Sequence, residues 1–215
     1  MTVAVVVFPG SNCEHDVVHA LRMLGGDAEI VWHRDTDLAG ADAVVLPGGF
    51  AHGDALRTGA IARFSPVMGE VVRLAEAGSP VLGICNGFQI LCEAGLLPGA
   101  LIANRDLAFI CRMVEVEVTD TDTVLTRAAH PGQVLRIPLN SYEGNWVSPS
   151  GKGRIVARYV DDPNGSTGRA AAIANPAGNV VGIMPHPERA IEDVLGSSDG
   201  RVLLEGFLAS IPTHV

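Results

Sequence analysis

Cys85 is the first residue that could do chemistry, and it lies at the centre of Gly83-Ile84-Cys85-Asn86-Gly87. An apolar segment over 80–84 precedes this pattern and a helical pattern over 87–94 follows it, which is the context of a nucleophile elbow. In such a turn the central residue takes a strained conformation, and flanking glycines avoid collisions with adjacent strands. The thiol would lie at a helix N-terminus, where the helix dipole favours a thiolate. Taken alone, the pattern fits equally well a small buried cysteine between a strand and a helix.

His186 and Glu188 could supply the base that a thiol nucleophile needs and the group that orients the base. They occur in Met184-Pro185-His186-Pro187-Glu188-Arg189. The two prolines predict an extended segment, in which residues two apart project to the same side. Glu188 is therefore expected to reach Nδ1 of His186 and to leave Nε2 for Cys85. By itself the motif would also fit a surface His-Glu pair in a loop.

A glycine pair, Gly48-Gly49, ends the apolar segment over 43–46. A bare backbone at this point can turn its N–H groups toward the oxyanion that develops during acyl transfer. An ordinary glycine turn is the alternative. A dinucleotide loop is disfavoured, because these glycines and Gly53 do not spell GxGxxG and no clear helix pattern begins directly after them.

Two further patterns carry weaker signals. His15 and His19 stand four residues apart on a predicted helix, as zinc-binding histidines do, but a third ligand is not evident and the surrounding charges favour a solvated helix face. Cys13, near a helix start, is a second candidate nucleophile but lacks the flanking glycine pair, and Cys92 lies within a helix. Helix-start geometry or packing accounts for Cys13 and core packing for Cys92, so no metal site is predicted.

The elements that position these residues alternate as in a doubly wound α/β sheet. After residue 99 the pattern changes to the period-two alternation of antiparallel strands. The predicted strands are 3–8, 29–32, 43–46, 80–84, 112–118, 134–137, 155–159, 170–175 and 180–183; the predicted helices are 12–26, 60–77, 87–94 and 200–211. We expect one α/β domain over residues 1–215, with a central, mostly parallel sheet, flanking helices and an antiparallel extension in the second half.

Composition excludes several classes of protein. The chain has 215 residues, 47% of them hydrophobic, and a net charge of -9, which supports a buried core and opposes nucleic-acid binding. No apolar stretch approaches the ~20 residues of a membrane span, and no secretory signal or CxxC pair occurs. The only lysine, Lys152, does not belong to a phosphate-binding loop. These features predict a soluble, cytoplasmic protein without an ATP site of its own.

The cysteine elbow, glycine loop and His-Pro-Glu motif, in this order, resemble the triad-type, class I glutamine amidotransferases. Within this class the chain is most similar to the glutaminase subunits of phosphoribosylformylglycinamidine synthase. The resemblance spans nearly the whole chain, and it is carried by FPGSNCE at 8–14, PGGF at 47–50, GD at 53–54, GAIARF at 59–64, GICNGFQILCEAGLLPGAL at 83–101, FICR at 109–112 and MPHPERA at 184–190.

The resemblance implies that Cys85 attacks the side-chain amide of glutamine while His186, oriented by Glu188, transfers protons. It also implies an oxyanion hole at Gly49 and Asn86 and a substrate contact at Gln89, with no cofactor on this chain. ATP and magnesium are expected on a synthetase subunit, which would receive the ammonia, and a small third subunit would complete the complex. Departures from the family pattern occur at His52, where tyrosine is more frequent, and at Ser141-Tyr142, where His-Gly is more usual.

Three alternatives stay open at this point. The first is a glutaminase of another pathway, which the CNGFQ and GAIARF motifs disfavour. The second is a flavodoxin-like cysteine hydrolase or stress protein, which would share the elbow but would not predict the downstream His-Pro-Glu motif. The third is a binding module without catalysis.

Overall fold

Runs of β-branched residues, which suit strands buried on both faces, form the centre of the fold. The computed structural model of the chain describes residues 2–38, 40–148, 151 and 153–212, so Lys152 lies outside the described residues. The strands are β1 Thr2–Val7, β2 Asp27–Trp32, β3 Ala43–Leu46, β4 Val81–Ile84, β5 Ala100–Ile102, β6 Ile110–Val118, β7 Val134–Ser141, β8 Asn145–Val147, β9 Arg154–Tyr159, β10 Ala170–Ala174 and β11 Val180–Ile183. The helices are α1 Glu14–Met23, α2 Val67–Glu76, α3 Asn86–Glu93 and α4 Gly200–Ala209.

Nine strands form one sheet in the order β2-β1-β3-β4-β11-β10-β9-β6-β7. Strands β2, β1, β3, β4 and β11 pair in parallel. From β11 onward every pair, through β10, β9 and β6 to β7, is antiparallel. The predicted α/β fold, with a parallel centre and an antiparallel extension in the second half, is therefore confirmed.

Helices α1 and α3 bury their apolar sides against the parallel half of the sheet. Helix α1 packs on β1 and β2 through residues such as Val17 and Leu21, and α3 packs on β3, β4 and β11. The carboxyl ends of β3, β4 and β11, which are neighbours in the sheet, carry the glycine pair, Cys85 and His186 respectively. Ligands of open α/β sheets bind outside this edge. None of the described helices is long and apolar enough to cross a membrane.

The predicted helix over 60–77 is wrong in its first third. Only a short 3-10 turn, Ala62–Phe64, forms there, and the α-helix begins at Val67. Pro66 is the physical reason: it disfavours helical backbone at Ser65, which is extended (φ -64°, ψ 142°), and its fixed φ suits a helix start. The short pair β5-β8 was not predicted, since three-residue strands carry almost no periodic signal.

Candidate active site

Cys85 occupies a strained turn between β4 and α3. Its backbone has φ 51° and ψ -105°, a combination that residues with a side chain rarely adopt. Its N–H donates to the Ile183 carbonyl (2.8 Å), which fixes the turn against β11. The thiol is buried and donates to the Asn140 carbonyl at 3.6 Å. The nucleophile elbow predicted from the sequence is therefore present in the backbone.

Gly83 and Gly87 are required by close packing on either side of Cys85. A Cβ at Gly83 would lie 2.6 Å from the Gly87 carbonyl, and a Cβ at Gly87 would collide with the backbone carbonyl of Leu46 in β3. Neither glycine has a positive φ, so the requirement is lack of space rather than backbone conformation. Helix α3 can approach the sheet this closely only without side chains at these two positions.

His186 follows β11, and Glu188 lies within hydrogen-bonding distance of it. Nδ1 of His186 is 2.6 Å from Oε1 of Glu188, and both side chains are buried. The sequence predicted this contact through an extended segment, but the chain reaches it differently, because Pro187–Arg189 forms a 3-10 turn. The N–H of His186 donates to the Pro138 carbonyl in β7 (2.8 Å), which anchors the segment to the antiparallel half.

The electrostatics of this pair make His186 a stronger base than a free imidazole, because they stabilise the imidazolium that forms when Nε2 takes a proton. Burial lowers the pKa of His186, but the interactions with Glu188 and Cys85 outweigh burial and raise the pKa well above its usual value. Within the described part of the chain, Nε2 of His186 and Oε2 of Glu188 are buried and have no hydrogen-bond partner. In the His186–Glu188 pair, Nε2 is thus the ring nitrogen that Glu188 leaves available, and it lies on the side of the Cys85 and Cys13 thiols.

Gly49 and Asn86 lie where the glycine loop meets α3. Gly49 has φ 150°, and a Cβ there would lie 2.6 Å from the Cα of Ser11, so only glycine fits. Asn86 is the first residue of α3, and its Oδ1 accepts a hydrogen bond from the N–H of Ala51 (3.0 Å). The Asn86 side chain therefore ties the glycine loop to the helix that begins after Cys85.

Gln89 lines the pocket one helical turn after Cys85, but its amide is already paired within the protein. Oε1 accepts from Nδ2 of Asn86 (2.8 Å), and Nε2 donates to the backbone carbonyl of Glu143 (2.7 Å). The amide thus connects the elbow helix to the loop between β7 and β8. The structure places Gln89 in the pocket wall, and the substrate contact that the family resemblance implies stays a prediction.

Cys13 also belongs to the site, which the sequence did not predict. It precedes α1, so the helix-start interpretation is right. Its sulfur also lies within 4.8 Å of donor atoms of both His186 and Glu188, and it accepts a hydrogen bond from Nη2 of Arg189 (3.2 Å). The sequence signal that could have placed Cys13 in the site is its position after β1, because the carboxyl end of β1 lies at the same sheet edge as those of β3, β4 and β11.

The arrangement of Cys13, His186 and Glu188 does not fit a metal site. These residues are the one group of three or more donors that converges among the described residues. However, Nδ1 of His186 and Glu188 are already bonded to each other, and the Arg189 cation lies on the sulfur. The alternative zinc pair is also unsupported, because His15 is exposed and His19 lies 3.1 Å from Glu192.

The positions that depart from the family pattern lie in or beside the pocket wall. Ser141 and Tyr142 line it, with Ser141 buried and Tyr142 exposed. His52 has φ 54° and packs edge-on against the His33 ring, with ring centroids 5.4 Å apart. Ser141 and Tyr142 shape the pocket, and within the described chain none of the three residues forms a hydrogen bond with the His186–Glu188 pair.

Four of the candidate residues, Gly49, Cys85, Gln89 and His186, line one pocket of about 480 Å³, a volume suited to a small molecule. Its rim includes the exposed aromatic side chains Phe50, Phe109 and Tyr142. The lining residues are Asn12, Cys13, Gly49, Phe50, Asp54, Thr58, Cys85, Gln89, Phe109, Asn140, Ser141, Tyr142, Glu143, His186 and Arg189. A thiol, an imidazole–carboxylate pair and a glycine loop around one small cavity are the parts needed for acyl transfer from an amide.

Comparison with known proteins decides the family. The profile of the CobB/CobQ-like glutamine amidotransferase domain matches residues 1–201. The chain belongs to this glutamine amidotransferase family. The amidotransferase is 51% identical to the phosphoribosylformylglycinamidine synthase subunit PurQ of Rubrobacter xylanophilus, over 97% of this chain and 98% of the relative. It is also 51% identical to subunit PurQ of Trichormus variabilis, over 98% of each chain.

Solved structures agree with this assignment. The amidotransferase matches a chain of the structure of PurLQS from Thermotoga maritima with a TM-score of 0.94 and 42% identity, covering 98% of this chain and 99% of that chain. A glutamine amidotransferase from the same organism, at 17% identity and a TM-score of 0.61, shares the fold and covers 98% of this chain and 96% of its own. The family resemblance inferred from the sequence motifs is confirmed.

Proposed function

We propose that this amidotransferase hydrolyses glutamine to glutamate and ammonia through a thioester on Cys85. The ammonia would go to a synthetase subunit that converts formylglycinamide ribonucleotide to formylglycinamidine ribonucleotide in purine biosynthesis. The observation that carries the proposal is a small pocket lined by both Cys85 and His186, with Glu188 buried behind the imidazole and bonded to it. The identity of 51% to PurQ subunits, over nearly the whole chain, supports the pathway.

The first half of the reaction forms the thioester. Nε2 of His186 takes the proton of the Cys85 thiol, and the sulfur attacks the carboxamide carbon of glutamine. Glu188, bonded to Nδ1, holds the imidazole in the right orientation and stabilises its protonated form. The backbone N–H groups of Gly49 and Asn86 stabilise the negative oxygen of the tetrahedral intermediate. His186 then protonates the leaving nitrogen, and ammonia departs.

The second half of the reaction hydrolyses the thioester, with His186 again acting first as base and then as acid. His186 takes a proton from water, the resulting hydroxide attacks the thioester carbonyl, and glutamate leaves as the Cys85 sulfur regains its proton. Gln89 contributes by contacting the substrate from the pocket wall. Its two hydrogen bonds, from Asn86 and to the Glu143 carbonyl, keep that wall at a fixed distance from the nucleophile.

A partner must consume the ammonia, because ammonia released into water is mostly protonated and loses its nucleophilicity. We infer that the partners are a synthetase subunit and a small third subunit, as the name PurLQS of the Thermotoga maritima structure suggests. The exposed rim residues Phe50, Phe109 and Tyr142 would be covered by such a partner. In this proposal the chain works in the cytoplasm and binds no cofactor, and ATP and magnesium bind to the synthetase.

The experiment is a glutaminase assay on the reconstituted complex. Wild-type complex should release glutamate and ammonia, and Cys85→Ser should abolish the release by lowering kcat without unfolding the chain. Cys111→Ser is the control, since Cys111 is an exposed thiol outside the pocket. A glutamine-mimicking diazoketone should alkylate Cys85 rather than Cys111. Release of glutamate and ammonia by the Cys85→Ser complex would refute the proposed mechanism.

A further inference from the structure

Asn104 is a buried residue that does not line the pocket but binds the backbone of two of its walls. It follows β5 and is 1% exposed, whereas every residue of the next segment, 105–109, is exposed. Its Nδ2 donates to the backbone carbonyls of Ala108 (2.9 Å) and Ser141 (2.8 Å). Its Oδ1 accepts a hydrogen bond from the N–H of Gly144 (3.0 Å). One side chain thus connects the main chain of two loops that are distant in the sequence.

The chemistry of these contacts requires an amide at position 104. Two carbonyls need donors and one N–H needs an acceptor, and a single asparagine amide supplies both. A carboxylate of the same shape could not donate to either carbonyl. An apolar side chain would leave the same backbone groups without their partner, which is costly where they are buried.

A second asparagine, Asn164, binds Gly144 from the other side. It is 0% exposed; its Nδ2 donates to the Gly144 carbonyl (2.7 Å), and its Oδ1 accepts from Oγ of Ser166 (2.8 Å). The carbonyl of Asn164 accepts from the N–H of Arg105 (3.0 Å), next to Asn104 in the chain. Both polar groups of the Gly144 backbone are therefore bound to buried asparagines. We call Asn104 and Asn164 the asparagine clamp.

The segment that the clamp holds, 141–144, adjoins two carbonyls that contact the site. The Asn140 carbonyl accepts the hydrogen bond of the Cys85 thiol (3.6 Å). The Glu143 carbonyl accepts the hydrogen bond of Nε2 of Gln89 (2.7 Å). A shift of this segment would therefore change both contacts between the antiparallel half of the sheet and the elbow helix.

We propose that Asn104 is a positioning residue that keeps two walls of the pocket, one carrying Phe109 and the other Tyr142 and Glu143, at a fixed separation. This inference rests on the proposed function. Asn104 reaches neither the substrate nor the reacting atoms, and it acts through the backbone that it binds. Contacts between glutamine and these walls exist in the bound ground state and in the transition state alike. Loss of the clamp should therefore raise KM and leave kcat nearly unchanged.

The test is steady-state glutamine hydrolysis by the reconstituted complex that contains Asn104→Ser. Serine is too short to reach all three backbone groups, so KM for glutamine should rise roughly tenfold, the equivalent of one net hydrogen bond, with kcat within about twofold of wild type. A merely structural role would instead lower the folded fraction, which reduces the apparent kcat and leaves KM unchanged. Titration of Cys85 with the diazoketone measures the active fraction of each sample.

Asn179→Ser is the matched control. Asn179 is also a buried asparagine, and its Nδ2 donates to the carbonyls of Ala75 (2.8 Å) and Ser79 (3.0 Å), while its Oδ1 accepts from Nδ2 of Asn175 (2.9 Å). It precedes β11, at the edge of the sheet opposite to the pocket. Its substitution should destabilise the chain similarly without changing KM. A rise of KM in both variants would assign the effect to stability and overturn the inference.

An unchanged KM in the folded Asn104→Ser complex would also overturn the inference. If Asn104→Ser does not fold, Asn164→Ser gives the same readout, because Asn164 binds the other polar group of Gly144. Amide hydrogen exchange of the wild type needs no variant: the Gly144 N–H should exchange much more slowly than a free peptide N–H, and fast exchange would overturn the inference. A wild-type complex that releases no glutamate would overturn the proposed function instead.

Discussion

The His186 imidazole is the residue on which the chemistry of the pocket depends. It is buried between Glu188 on one side and the two thiols, Cys85 and Cys13, on the other. An imidazole that is buried without a carboxylate would resist protonation, because burial disfavours the charged form. Here Glu188 and Cys85 reverse that effect and hold the pKa of His186 well above its usual value. The carboxylate is therefore expected to matter through its charge more than through its shape.

Glu188→Gln tests this expectation, because glutamine keeps the shape and removes the charge. We predict a large fall in kcat, though a smaller one than for Cys85→Ser; the equivalent change in a serine protease triad costs about 10⁴-fold. The measurement is steady-state glutamine hydrolysis by the complex. Glu192→Gln is a matched control, since Glu192 forms an exposed His–Glu pair with His19. Full wild-type kcat in Glu188→Gln would remove Glu188 from the mechanism.

The sequence revealed the residues whose role depends on neighbours in the chain. Cys85 is marked by its flanking glycines, and His186 and Glu188 are two residues apart in one motif. It did not reveal contacts between residues distant in the chain, such as Cys13 with His186 or Cys85 with Asn140. Those contacts depend on how loops of both halves of the sheet converge, and local patterns do not encode that convergence.

At the scale of elements, the site depends on how closely α3 approaches the sheet. Gly83 and Gly87 allow the helix to lie directly against β3 and β4, and Cys85 is held between them with a positive φ. The position of the thiol is thus determined by backbone packing rather than by side-chain contacts. A side chain at either glycine would push the helix outward and move the nucleophile with it.

Gly87→Ala is predicted to destabilise the chain and to lower activity together. The added methyl would collide with the Leu46 carbonyl, and overpacking of this kind costs about 1–3 kcal/mol of unfolding free energy. Denaturant unfolding and the glutaminase assay are the measurements. Gly69→Ala in α2 is the control: nothing lies within 4 Å of its added methyl, so it should be neutral or stabilising by about 0.5–1 kcal/mol. Unchanged stability in Gly87→Ala would contradict the packing argument.

Elements were predictable where hydrophobic periodicity was strong and unpredictable where backbone restrictions competed with it. The parallel strands and α3 were found within one or two residues. The predicted helix over 60–77 ignored the restriction that Pro66 places on Ser65. Strand β7 extends past the predicted end at residue 137, because Pro138 is tolerated on an edge strand whose outer side makes no sheet bonds.

At the scale of the whole molecule, the two halves of the sheet have different tasks. The parallel half carries the nucleophile, the His186–Glu188 pair and the glycine loop at one edge. The antiparallel half supplies the facing wall of the pocket. There the Asn140 carbonyl accepts a hydrogen bond from the Cys85 thiol, and the Glu143 carbonyl accepts one from Nε2 of Gln89. In this arrangement the Cys85 thiol donates to Asn140, while Nε2 of His186 has no partner among the described residues. The hydrogen bond of the thiol is therefore made to the antiparallel half of the sheet.

A docking partner is therefore predicted to activate the chain. The exposed aromatic rim, including Phe50 beside Gly49 and Tyr142 beside Glu143, connects a partner surface to both walls of the pocket. We expect a partner bound to these loops to shift the hydrogen bond of the Cys85 thiol from Asn140 to His186 and to align the oxyanion loop. The pocket would then fit the transition state only in the complex. The isolated chain should hydrolyse glutamine slowly. Adding the synthetase and the small subunit, with nucleotide and acceptor, should raise kcat about tenfold or more, a barrier lowered by ~1.4 kcal/mol. Complex containing Cys85→Ser controls for ammonia from other sources, and equal kcat with and without partners would refute activation by docking.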